Sequence, residues 1–182
     1  VAFRLGAAAK LYPAMLAVPL MVQRIRERRP DGAIVLGWAT AGAWLVVNLP
    51  FAVLAPSAWL TFFRFNSERP ADFDSLWYIA CRHLDACPST RAINVWSLAL
   101  FLGMSAAVWA IKARRHTDFP RWTLGLPLLV LFLLSNKVYS PQYGLWLLPW
   151  FALALPRLLP FLAFSITDVG VFVTRFSWFG RL

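Results

Sequence analysis

Lys10 and Lys137 are lone cations in apolar surroundings, and each has polar or aromatic neighbours. Tyr12 lies two places beyond Lys10, and Asn136, Tyr139, Ser140, Gln142 and Tyr143 surround Lys137. A third group, Arg64, Asn66, Ser67, Arg69, Asp72, Asp74 and Trp77, falls in the polar segment Pro56–Arg91. Ammonium and guanidinium groups suit phosphate oxygens. Hydroxyls, amides and aromatic faces together suit a sugar ring. Plainer readings stand beside these: the lysines can snorkel along apolar surface, and Asn136–Tyr143 can be a simple turn between two helices.

The elements that must position these groups are apolar runs. Hydrophobic residues make up 60% of the 182-residue chain and charged residues 14%, against about 45–50% and about 25% in a soluble domain. Residues 33–63, 92–111 and 122–136 carry no charge at all. A membrane span needs roughly 20 mostly apolar residues. Its backbone polar groups must be satisfied within the segment, so such runs should be helices. The expected fold is all-α, a polytopic integral membrane protein. One transmembrane domain, residues 1–182, is expected to be part of a longer polytopic protein with spans ahead of Val1.

The spans are placed at about Leu5–Val22, Gly32–Ala55, Ala92–Ile111, Trp122–Leu134, Tyr143–Leu155 and Phe161–Val173. Pro149, Pro156 and Pro160 mark kinks or breaks, and the last span holds Asp168. Several are short, so tilted or re-entrant segments are compatible with the pattern. Residues 56–91 read as a loop between the second and third spans. An ammonium within lipid costs about 2.5–3.5 kcal/mol on insertion scales, so Lys10 and Lys137 need an anionic partner or a polar cavity. Pro141 disfavours helix at Ser140 and puts a break between the fourth and fifth spans.

The net charge of +10 lies in short tracts. It reads as orientation signal and lipid-headgroup contact rather than nucleic-acid binding, for which no soluble basic face exists. Arg24–Arg29 and Lys112–Arg121 are two spans apart and so share a side, which the positive-inside rule makes cytoplasmic. Arg4, Lys10, Arg64, Arg69, Arg82, Arg91 and Lys137 then fall on the outer side, more dispersed. Cys81 and Cys87, the only cysteines, sit in the outer loop, where an oxidising compartment would favour a short disulfide; two unpaired thiols are the alternative. His83 lies between them, but no second ligand pair accompanies it, and no metal site is expected.

The stretch Ser135-Asn136-Lys137-Val138-Tyr139-Ser140-Pro141-Gln142-Tyr143-Gly144-Leu145-Trp146-Leu147-Leu148-Pro149 resembles a segment typical of glycosyltransferase family 87. These are actinobacterial polyprenyl-phosphate-mannose-dependent mannosyltransferases of the GT-C class. Lys10-Leu11-Tyr12-Pro13 and Asn48-Leu49-Pro50-Phe51 leading into Trp59–Phe65 also fit, so the resemblance covers most of residues 8–150. The pattern Lys-Val-Tyr-Ser-Pro-Gln-Tyr-x-x-Trp is the most specific part.

The resemblance implies a GT-C-like helical bundle in the cell membrane, with its active face extracytoplasmic. It implies a mannosyl or other hexosyl transfer from a polyprenyl-phosphate sugar to an envelope glycan or glycolipid, with no certain cofactor. Lys10, Lys137, Arg64 and Arg69 would contact phosphate, and Tyr12, Asn136, Tyr139, Ser140, Gln142 and Tyr143 would shape the groove. The carboxylate base of GT-C proteins lies in an early extracytoplasmic loop, which this chain is expected to lack. Asp72 and Asp74 are nameable substitutes, although solvated loop acids are the plainer reading. Competing functions are a transporter or lipid-linked-substrate flippase using Lys10, Lys137 and Asp168, and a non-catalytic membrane scaffold.

Overall fold

The computed structural model describes residues 12–84, 87–116 and 118–180. Among them the regular structure is entirely helical. After a 3-10 turn at Tyr12–Leu16 come α1 (Ala17–Arg26), α2 (Pro30–Leu54), α3 (Pro56–Glu68), α4 (Leu76–His83) and α5 (Thr90–Arg115). A 3-10 turn at Arg121–Leu124 leads into α6 (Gly125–Ser135), and another at Pro141–Tyr143 leads into α7 (Gly144–Ala154). The last helix is α8 (Leu158–Phe179).

Local chemistry sets the helix ends. Pro30 stands in the first turn of α2 with Asp31 beside it, where a fixed φ and a negative charge both suit a helix start. Ser75 caps α4 by accepting from the Tyr78 N–H at 3.1 Å. Ser89 caps α5 by accepting from the Ala92 N–H, and Lys112, Arg114 and Arg115 close its last turn, where cations complement the helix dipole. Between α1 and α2 the chain reverses so tightly that Arg28 takes a left-handed φ of 56°.

Among the described residues three helices, Pro30–Leu54, Thr90–Arg115 and Leu158–Ser177, are long and apolar enough to cross a membrane. Their apolar residues face outward: Leu54 is 83% exposed and Trp38 and Val46 are each 75% exposed. An exposed apolar surface this extensive calls for a covering phase. The packed interior instead centres on the short helix α6. Leu129 and Leu133 pack with Leu147 of α7, backed by Met15 and Phe164. Leu124 and Leu128 pack with Phe119 and with Val108 and Trp109 of α5.

Contacts fix the direction of the helices. At one end the Gln23 side chain accepts from the Arg121 N–H at 3.1 Å, and Lys112 donates to Thr123 Oγ1 at 2.6 Å. The two basic tracts therefore share that end. At the opposite end α6 stops at Ser135, and α7 descends beside it until Trp150 faces Gly125. Phe151 then meets Phe161 and Phe164 at the foot of α8. Higher up, Asp168 lies against Gly144 and Phe179 against Phe73.

Two expectations need adjustment, and a third is only partly covered by the described residues. The segment 56–91 is not a plain loop, because α3 and α4 occupy much of it. The last helix runs from Leu158 to Phe179, longer at both ends than Phe161–Val173; Pro160 sits in its first turn, where a missing N–H costs little. Of the first span, residues 5–11 lie outside the described residues.

Candidate functional site

The break between α6 and α7 is built residue by residue. Asn136 Oδ1 accepts from the Val138 N–H at 3.2 Å, turning the chain out of α6. Ser140 is extended (φ −131°, ψ 138°) ahead of Pro141. Gly144 then opens α7 where an added Cβ would come within 2.6 Å of the Asp168 carboxylate.

This turn directs Lys137 into the connector. Its side chain is almost enclosed, with 5% exposure, and Nζ donates to the Ser67 carbonyl at 3.2 Å. The Lys137 carbonyl accepts from the Asp72 N–H at 2.8 Å. Nearby, Asn94 of α5 donates to the same Ser67 carbonyl at 2.8 Å, and Trp77 Nε1 donates to the Ser135 carbonyl at 2.9 Å. An ammonium has three donors, and Ser67 engages one of those on Lys137. Burial, and then the nearby Arg69 charge, hold the Lys137 pKa below its ordinary value. Both effects disfavour a cation, and a bound anion would offset both.

A cavity of about 470 Å³ opens beside Lys137. Arg69, Asn66, Asn94 and Asn136 line its upper part. Its other walls are mainly apolar, with Phe62 and Phe63 from α3, Leu98 and Phe101 from α5, and Phe132 from α6, interrupted by Ser97, Ser135 and Tyr143. Phe101 and Phe132 meet edge to face at 6.0 Å. From Asn94 to Phe101 the wall descends about 10 Å at 1.5 Å per residue. It thus grades from cationic and amide-rich to aromatic and aliphatic. Ser97 Oγ, on the same wall, is buried without a hydrogen-bond partner among the described residues.

A second polar group lies on the α8 side of the break. Arg175 pairs with Asp74, lies 3.7 Å from Asp72, and donates to the Tyr139 carbonyl at 3.3 Å. Asp72 also pairs with Arg69 at 3.2 Å. Asp72 and Asp74 are therefore both ion-paired and hold the connector to the bundle. Asp168 is different, because its Oδ1 is buried with no hydrogen-bond partner among the described residues. Burial, followed by the charges of Asp168 and Asp74, raises the Tyr139 pKa, with Arg175 opposing.

The sequence-derived candidates separate accordingly. Arg69, Asn136, Lys137 and Tyr143 line one cavity. Tyr139 turns its carbonyl toward Arg175, the Ser140 carbonyl accepts from Tyr143, and Gln142 and Arg64 are exposed and do not line that cavity. Lys10 lies outside the described residues, and the Tyr12 backbone opens the first 3-10 turn. Cys81 and Cys87 are joined as a disulfide, with Cα atoms 4.7 Å apart. Among the described residues no cluster of three or more His, Cys, Asp or Glu side chains could hold a metal.

No protein-family model matches the chain, and comparisons with curated proteins and with solved structures find no match. The site residues that sequence reasoning passed over are Asn94, Ser97 and Arg175. Asn94 and Ser97 did leave a signal: polar residues three apart in an apolar run share one helix face. Arg175 left none, because it falls beyond the assigned end of the last span.

Proposed function

We propose that the chain is part of a multi-pass membrane glycosyltransferase of GT-C-like architecture, which moves a hexosyl group, mannosyl by resemblance, from a polyprenyl phosphate to a cell-envelope glycan or glycolipid. One observation carries the reading: enclosed Lys137 and adjacent Arg69 stand at the polar top of a cavity whose lower walls are aromatic and aliphatic. An anionic phosphate bearing a sugar fits the top, and the first prenyl units fit the Phe101–Phe132 wall. The end of the bundle that holds this cavity lies opposite the basic tracts, which agrees with an extracytoplasmic active face under the positive-inside rule.

In the reaction, the acceptor hydroxyl oxygen bonds to the anomeric carbon as the carbon–oxygen bond to phosphate breaks. The bonding pair leaves on the phosphate, where Lys137 and Arg69 stabilise the developing charge. The hydroxyl proton goes to a carboxylate, which the family resemblance assigns to an earlier extracytoplasmic loop. Asp72 and Asp74 are poor substitutes, because both are engaged by arginines.

The test is transfer from a synthetic polyprenyl-phosphate mannose by the full-length protein. A hydrogen bond to a charged group contributes about 1.5–3 kcal/mol, so Lys137→Ala should lower transfer by roughly 10- to 150-fold with membrane insertion intact. Unchanged transfer would remove the cavity from the reaction. A lipid-linked-substrate transporter is the second reading, favoured by Asp168, a buried carboxylate within a long apolar helix whose Oδ1 has no partner among the described residues. It predicts that Asp168→Asn abolishes substrate movement across vesicles and that no glycosidic bond forms.

A further inference from the structure

A second cavity, of about 520 Å³, lies behind Arg69, and the Cys81–Cys87 bridge forms part of its wall. We propose that this cavity is a subsite for a neutral glycan, the sugar end of the acceptor; the assignment rests on the transfer reading above.

Charge is the first argument. Among the described residues the cavity is lined by Arg69 and Asp72, which pair at 3.2 Å, and by no other charged group. The Lys137 cavity shares Arg69 but adds the Lys137 ammonium, which no carboxylate among the described residues pairs with. An anion therefore belongs in the first cavity and an uncharged ligand in the second. Surface chemistry is the second argument. Phe73 and Tyr78 stand with ring centroids 4.9 Å apart, tilted by 60°, and Pro70 and Pro88 add further apolar faces. Such faces accept the C–H side of a pyranose, while Thr90 and the Arg69–Asp72 pair can bond its hydroxyls.

Position is the third argument. Arg69 lines both cavities, and the partition continues into α5, where Ile93 borders one and the next residue, Asn94, the other. The disulfide and the Asp72–Lys137 backbone bond fix this partition from either side. A lipid phosphate at Lys137 and a neutral glycan behind Arg69 would meet at that guanidinium. The volume lies within the range of about 300–1,000 Å³ typical of small-molecule sites.

The experiment uses the full-length protein in lipid nanodiscs, with mannobiose as the neutral probe. Binding is followed by calorimetry, and transfer by acceptor and donor KM. Ala71→Trp fills the cavity, and Phe73→Ala removes one aromatic face. Retention of the Cys81–Cys87 bridge and a monodisperse profile verify folding of each. The native protein should bind mannobiose, and both variants should weaken it about tenfold or more, raising acceptor KM but not donor KM. Absence of binding by the native protein, or equal binding by folded variants, overturns the subsite. Transfer with unaltered acceptor KM also overturns it while leaving the transferase reading intact. Loss of binding in the variants, without transfer by the native protein from any lipid-linked sugar, keeps the subsite and removes the transferase reading.

Discussion

Lys137 is held where an ammonium is least comfortable, and its titration should reveal that. Its pKa is lowered from 10.5, first by burial and then by Arg69. Transfer that needs the charged form should therefore decline on the alkaline side before pH 10.5, and Lys137→Arg should move that decline upward, because a guanidinium stays protonated. For stability the sign is opposite. Between the lowered folded value and 10.5 the unfolded chain binds more protons, so stability attributable to Lys137 rises with pH across that window. A pH–rate profile and thermal unfolding over the same range check both statements.

Gly125 makes a second prediction at this scale. A methyl group there would run into the Trp150 ring and come within 2.6 Å of Leu16. Gly125→Ala should cost about 1–3 kcal/mol through overpacking, read as a lowered Tm, whereas Gly42→Ala, with open space around it, should not. The sequence made Lys137 conspicuous as a cation in an apolar setting. Nothing local marked Gly125, because its constraint comes from a ring 25 residues away in the chain.

The connector shows most plainly what was legible among the elements and what was not. Apolar runs announce helices, so α2 and α5 were anticipated to within a few residues. Pro141 likewise announced the break before α7. The helices α3 and α4 went unread because their polar faces dilute the hydropathy of residues 56–91. α4 is tied by the Cys81–Cys87 bridge to the strand of chain that leads into α5. Closing so short a loop restrains the unfolded chain modestly, so replacing both cysteines with serine should cost about 2 kcal/mol. Thermal unfolding of the double variant, with mass mapping of the native protein without reductant, measures this.

Across the whole molecule, apolar surface faces outward on the long helices and packs inward around α6. That inversion was readable from composition, but the interior role of α6 was not, since its eleven residues look like any other apolar run. The end-to-end arrangement yields a further prediction. Arg26 and Lys112 belong to the end where Gln23 meets Arg121, and Ser140 belongs to the other. Cysteine labelling of intact cells should therefore reach a label site at Ser140 from outside and leave one at Arg26 protected. Equal accessibility of the two would remove the polarity on which the proposed active face depends.

The Asp74–Arg175 pair joins positions 101 residues apart. With synthesis proceeding at about 5–20 residues per second, the acidic partner must wait several seconds or more for the basic one to leave the ribosome. The connector is thus tied to α8 only after residue 175 has been made. A ribosome stalled before Arg175 should hold a chain in which α2 and α5 are already inserted but whose connector is still open to proteases.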